Sequence, residues 1–160
     1  KYYGFDEVQA DKVVDKYREY FSAKGIFENS VYPGMAGLLA GCKEAGYCVV
    51  LATAKPEQYA RRILEHFELL SCFDAVHGAT FDGTVTTKSE VIALALGQKA
   101  AGCGNTVMIG DRSDDILGAK QHGIASIGAL YGYGTREELI AAGADVIAED
   151  VPGLSQLLLG

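Results

Sequence analysis

Residues Thr106 to Asp115 read T-V-M-I-G-D-R-S-D-D, an apolar run that ends at a glycine and is followed by carboxylates at Asp111, Asp114 and Asp115. Closely spaced acidic side chains repel one another. A fold tolerates them more easily when something positive sits among them, most often a hard cation such as Mg²⁺. The tip of a parallel strand, where the chain turns into a helix, is also where open α/β sheets bind ligands. The competing reading is an acidic helix start whose carboxylates complement the helix dipole. Asp111 and Asp115 are four apart, so a helix beginning near Ser113 would bring both toward one cation and turn Asp114 elsewhere; Arg112 would simply neutralise local charge.

Two further residues have types suited to phosphate chemistry. Thr53 follows the apolar run Tyr47 to Ala52, and its hydroxyl beside the backbone N–H groups of Ala54 and Lys55 makes an anion site. The alternative is a Thr that caps the helix beginning at Pro56. Lys88 follows the polar turn Thr84 to Thr87 and opens a helix, where a cation opposes the dipole unless it serves something. That service would be to hold a phosphate against neighbouring carboxylates; the alternative is a solvated surface Lys. Gly132-Tyr-Gly134 has two of the three glycines of a dinucleotide fingerprint and precedes a capping box, so it reads as a flexible connection. His66, His77 and His122 are isolated, and Tyr17 and Tyr20 read as core or interface residues.

The elements that must position these side chains follow from periodicity. Asp11 to Ala23 places Val13, Val14, Tyr17, Tyr20 and Phe21 at helical spacing, and Lys24-Gly25 ends that helix. After the break Tyr32-Pro33-Gly34, a helix is expected from Met35 to Ala45, then a buried parallel strand at Tyr47–Ala52 and a helix from Pro56 to His66. Phe73–His77 reads as a strand and Phe81-Asp82-Gly83 as a turn. Lys88–Ala101 reads as a helix, Thr106–Ile109 as a strand, Asp115–His122 as a helix and Ile124–Ile127 as a strand. Thr135 and Glu138 form a capping box opening a helix to Ala142, followed by a strand at Val146–Ala148 and a helix at Pro152–Leu159. Such alternation implies an α/β chain with a doubly wound parallel sheet, preceded by an all-helical start.

The totals narrow the partners. A chain of 160 residues, nearly half of them apolar, suits one domain with a sizeable core. A formal charge of −7 argues against a nucleic-acid or anionic-membrane surface, so a phosphorylated substrate would need a local cation. Cys42, Cys48, Cys72 and Cys103 form no C-x-x-C pair and lack a His at metal-ligand spacing, which fits a reduced, cytoplasmic compartment. The apolar stretches are too short to span a bilayer, and Lys1-Tyr-Tyr-Gly-Phe lacks the design of a signal peptide. It also lacks an initiator Met, so the chain is expected to begin inside a longer protein.

Thr53 after a strand, Lys88 before a helix and Gly110-Asp111-x-x-x-Asp115 after a strand, in that order, resemble the second, third and fourth motifs of the haloacid dehalogenase superfamily of phosphohydrolases. Y-P-G-M at Tyr32–Met35, A-T-A-K at Ala52–Lys55, G-D-R-S-D-D-I-L-G-A-K at Gly110–Lys120 and Y-G-Y-G at Tyr131–Gly134 look like its phosphoglycolate phosphatase-like branch. The resemblance implies a Rossmann-like core at 32–160, with the remnant of an N-terminal helical cap at 1–31. It implies Mg²⁺-dependent phosphoryl transfer from a small phosphorylated metabolite through an aspartyl-phosphate, by a monomer or homodimer. Thr53, with the Ala54 backbone, would bind a phosphoryl oxygen, and Lys88 would stabilise the phosphoryl group and the nucleophile. Asp111 would ligate Mg²⁺, and Asp115 would ligate it or orient its waters.

One departure bears on activity. The family's first motif, D-x-D-x-T on the first strand, has no counterpart here; the early pair Asp6-Glu7 follows no strand and lacks that spacing. The resemblance puts that strand mid-sheet, between Tyr47–Ala52 and Thr106–Ile109. Its loss is expected to open a gap between two apolar strands, each with an unpaired edge. The 160-residue chain alone is therefore expected to be inactive, and a non-catalytic binding or regulatory domain is the alternative.

Overall fold

The computed structural model describes residue 4 and residues 6–99 and 106–160. The chain divides into two compact units, Lys1–Ser30 and Val31–Gly160. In the first, α1 (Glu7–Ala23) starts at a capping box: Gln9 N–H donates to Asp6 Oδ1 (2.8 Å) and Asp6 N–H to Gln9 Oε1 (3.2 Å). The helix begins one turn earlier than periodicity suggests, because that cap lies upstream of the apolar stripe. Tyr17 and Tyr20, read from sequence as core or interface, are exposed; Tyr17 stacks on Phe21 with ring centroids 5.4 Å apart, and Tyr20 donates to Glu28. The 3₁₀ turn Gly25–Phe27 follows.

The second unit contains α2 (Met35–Glu44), β1 (Val50–Pro56), α3 (Glu57–His66), β2 (Ala75–Ala79) and α4 (Lys88–Lys99). It continues with β3 (Val107–Gly110), α5 (Ser113–Gln121), β4 (Ala125–Ala129), α6 (Arg136–Ala142), β5 (Val146–Ala148) and α7 (Val151–Leu159). The expected extension of α4 to Ala101, and Cys103, lie outside the described residues. Cys42 and Cys72 are free thiols. Among the described residues, no helix is long and apolar enough to cross a membrane.

Every strand pairing is parallel, with helices on both faces, so the α/β class holds. Among the described residues the strands form two sheets, β1-β2 and β3-β4-β5, so the layer is open between β1 and β3, where the sequence analysis expects a gap. Helices span both. On one face, Leu38 and Cys42 of α2 pack with Ile127, Ala148, Val151 and Leu154, while Leu39 of the same helix packs with Ala60, Leu64 and Val76 around β1 and β2. On the other face α4 packs on β1 and β2 and also against α5, which lies on β3 and β4. The middle layer is therefore divided where the outer layers are continuous.

The division has a consequence for burial. Val49 C=O accepts from Asp74 N–H (2.7 Å), so its backbone faces β2, and by strand alternation Ala52 faces the other, unpaired edge. Tyr47–Ala52 reads as a buried strand, yet the strand begins only at Val50 and none of its residues is fully buried. Val107 and Ile109 of β3 are each 37% exposed for the same reason: a strand with one neighbour leaves its second edge to water. β5 lies at Val146–Ala148 as expected, and the other boundaries shift by one or two residues toward the C-terminus relative to the apolar runs, so β2 covers Ala75–Ala79 and β4 covers Ala125–Ala129.

Leu154 of α7 is 2% exposed within the cluster that joins α2 to β4 and β5. Leu154→Ala is expected to destabilise the fold by about 2–5 kcal/mol, measured as a lowered urea midpoint at unchanged slope.

Candidate active site

The ammonium of Lys88, in the first turn of α4, donates to Ala52 O at 3.0 Å and lies 2.7 Å from Asp115 Oδ1. It thus occupies the unpaired edge of β1 and joins it to the start of α5. Asp115 is 5% exposed. Its second oxygen, Oδ2, accepts the backbone N–H groups of Asp111 and Arg112, each at 3.1 Å. A carboxylate with a cation on one oxygen and two amides on the other has its buried charge matched. The helix begins at Ser113, which puts Asp115 in the first turn, where its charge also suits the dipole. Asp114 points to solvent.

Gly110 makes this approach possible: a Cβ there would lie 2.1 Å from Asp115 Cβ and 2.5 Å from its Oδ2. Asp111, one residue further, turns the other way. Its Oδ2 accepts Tyr133 N–H at 2.8 Å, and Oδ1 has no hydrogen-bond partner among the described residues. Gly132–Gly134 is accordingly not the flexible connection its glycines suggest. A Cβ at Gly132 would meet Asp111 Cβ at 2.2 Å, and one at Gly134 would meet Asp111 O at 2.1 Å. The glycines serve close approach, clamping this loop onto the end of β3.

Thr53 lies within β1 rather than after it, and its Oγ1 accepts Lys55 N–H at 3.2 Å. It directly follows Ala52, whose carbonyl Lys88 holds. The structure thus brings together Lys88, Asp115, the Asp111 backbone and the edge of β1 at Ala52. Ala54 is exposed next to Thr53.

Periodicity misses Glu138 and the Tyr133 amide. The expected capping box at Thr135 forms only in part: Glu138 N–H donates to Thr135 Oγ1 (3.2 Å). The Glu138 carboxylate instead accepts Arg112 Nε and Ser113 N–H, both at 2.9 Å, and so braces the loop between Asp111 and α5. Backbone donation from Ser113, followed by the Arg112 side chain, lowers its pKa to about 2. A Glu three residues after a Thr is equally a local cap and a long-range acceptor, and sequence alone cannot tell which.

As a metal site the residues present fit in part. Asp111 Oδ1 is a hard oxygen with no competing donor, the kind of ligand Mg²⁺ takes. Asp115 is engaged on both oxygens, and among the described residues no group of three or more His, Cys, Asp or Glu side chains could hold a metal.

Comparison with known proteins places the chain in a family. The family profile of haloacid dehalogenase-like hydrolases matches residues 2–123. The chain belongs to this family. A 5'-nucleotidase of Pseudomonas aeruginosa is 40% identical over 156 residues, covering 98% of this chain and 71% of the relative. Tyrosine-protein kinase PtkA of Mycobacterium tuberculosis is 41% identical over 125 residues, covering 78% of this chain but only 43% of the kinase. The crystal structure of a predicted phosphatase from Clostridium acetobutylicum superposes with a TM-score of 0.90 at 44% identity, covering 99% of this chain and 73% of that one.

Two substitutions test the supports of this arrangement. Asp115→Ala strands the Lys88 ammonium and is expected to cost about 3–5 kcal/mol in urea unfolding at pH 7. Glu138→Ala is expected to lower the urea midpoint at pH 7. Because the folded pKa of Glu138 lies below its unfolded value, its contribution is complete above about pH 4.5, declines toward pH 2 and vanishes below it. The gap between wild type and variant should therefore close on acidification; a gap that stays constant down to pH 2 would show that the carboxylate charge plays no part.

Proposed function

We propose that this chain carries the phosphate- and metal-holding part of a Mg²⁺-dependent phosphomonoester hydrolase of the phosphoglycolate phosphatase-like kind, acting on a small phosphorylated metabolite. The observation that carries this is the Lys88 ammonium, held between Asp115 and the carbonyl of Ala52, the residue before Thr53 in β1. Thr53 and the Ala54 amide bind a phosphoryl oxygen, and Lys88 neutralises charge on the phosphoryl group, which is preorganised electrostatic stabilisation. Asp111 would hold Mg²⁺, and Asp115, which holds Lys88, would orient the metal's waters. The bound metal supplies charge neutralisation at the phosphoryl oxygens. The name of the Pseudomonas relative, a 5'-nucleotidase, supports a phosphomonoester substrate.

In this reading residues 1–31 are part of a helical cap and residues 32–160 are the core. The divided middle layer, spanned by α2 on one face and by α4 and α5 on the other, supports a place for one more parallel strand between β1 and β3. That strand would present the nucleophile and general acid of an aspartyl-phosphate mechanism, since no two aspartates of this sequence have D-x-D spacing. The same observation favours a second reading, a non-catalytic phosphate-binding domain on this scaffold.

One experiment separates them. The purified 160-residue chain with Mg²⁺ is expected to leave p-nitrophenyl phosphate intact. Fusion to an N-terminal apolar strand ending in D-x-D-G-T is expected to produce turnover that Lys88→Ala abolishes. Turnover by the unfused chain, lost on Lys88→Ala, would refute the proposed division of the site, and a well-folded but inactive fusion would favour the binding domain.

A further inference from the structure

The Tyr133 ring is 87% exposed, far more than any other large apolar or aromatic side chain among the described residues. Its backbone is nevertheless tied down. Tyr133 N–H donates to Asp111 Oδ2, and Gly132 and Gly134 on either side press against Asp111 too closely for any side chain. A large ring on a fixed backbone, standing in water beside a candidate metal ligand, has a low entropic cost for stacking on a ligand.

The surroundings single it out. Tyr32 and Tyr131 pack edge to face with ring centroids 5.1 Å apart; burial pushes both phenols up, then Tyr133 and Asp111 raise Tyr32 further, and Tyr32 and Asp111 raise Tyr131, so Tyr133 and this aromatic pair lie near the same carboxylate. Across the site, beyond β2, Phe81 is also exposed, but its ring is already edge-on to Tyr59 at 5.2 Å. Tyr133 has no ring partner among the described residues. With phosphorus held at the ends of β1 and β3, the leaving group must extend over the rim of the strands, and the Asp111 side of that rim offers an unused aromatic face.

We propose that Tyr133 is a specificity-determining residue: its ring stacks on a planar aromatic leaving group of the phosphate ester held by Thr53, Lys88 and Asp111. This rests on the phosphate-ester reading above and narrows its substrate class. Both an aryl ester and a nucleoside monophosphate carry the required ring.

The test is equilibrium binding to the full 160-residue chain in Mg²⁺, with inorganic phosphate, methyl phosphate, phenyl phosphate and adenosine monophosphate as probes, measured by ligand-observed NMR. Phenyl phosphate, adenosine monophosphate or both should bind about two- to tenfold more tightly than methyl phosphate. Tyr133→Ala should erase that preference and leave methyl phosphate and inorganic phosphate unaffected, whereas Tyr133→Phe and Phe81→Ala should retain it. A preference for one aromatic probe alone upholds the inference and identifies the source of the ring. A preference that survives Tyr133→Ala, or that disappears in Phe81→Ala instead, overturns it, as does the absence of any preference in the wild type. If the wild type binds neither inorganic nor methyl phosphate, the phosphate-ester reading fails and the inference with it.

Discussion

A partly buried ammonium needs partners, and the site is organised around supplying them to Lys88. The cost of desolvating a charge is several kcal/mol, repaid only by close, well-directed contacts. Lys88 finds them in a carbonyl of one sheet and a carboxylate beyond the end of the other. That carboxylate is in turn fixed by two backbone amides, and it fits only because Gly110 has no side chain. The ion pair therefore determines the register of α4 against β1 and of α5 against β3. It is also a link between the β1-β2 and β3-β4-β5 sheets at their C-terminal ends, in addition to the helices.

The divided middle layer is the other constraint. Helix packing continues across both faces because the apolar residues of α2 serve clusters on each side. Backbone pairing cannot continue, since it needs a strand at about 4.8 Å spacing and β1 and β3 each have a partner on one edge only. The outcome is apolar strands whose sequences suit full burial but which keep half-exposed residues such as Val107 and Ile109. Relatives in the same family carry names as different as nucleotidase and kinase, and this chain spans 71% of the first and 43% of the second. Family membership thus points to phosphate chemistry.

Much of this was legible in the amino-acid order. Alternating apolar runs and helical stripes located the strands and helices of the second unit to within a few residues, because period and turn chemistry are local properties. Thr53, Lys88, Asp111 and Asp115 stood out because a lysine at a helix start and clustered aspartates are each locally unfavourable and so call for a tertiary partner. Tertiary structure alone decided what the partners are. Lys88 pairs with a carboxylate 27 positions away and with a carbonyl on a strand edge; Glu138 leaves its own helix cap to brace Arg112 and Ser113; and two glycines that look like flexibility serve instead to clamp Tyr133 beside Asp111. Sequence records which groups can bond and how the chain turns locally. Which of them meet, and which strand edges stay open, depends on distances between segments far apart in the chain, and only the packed helices and sheets set those.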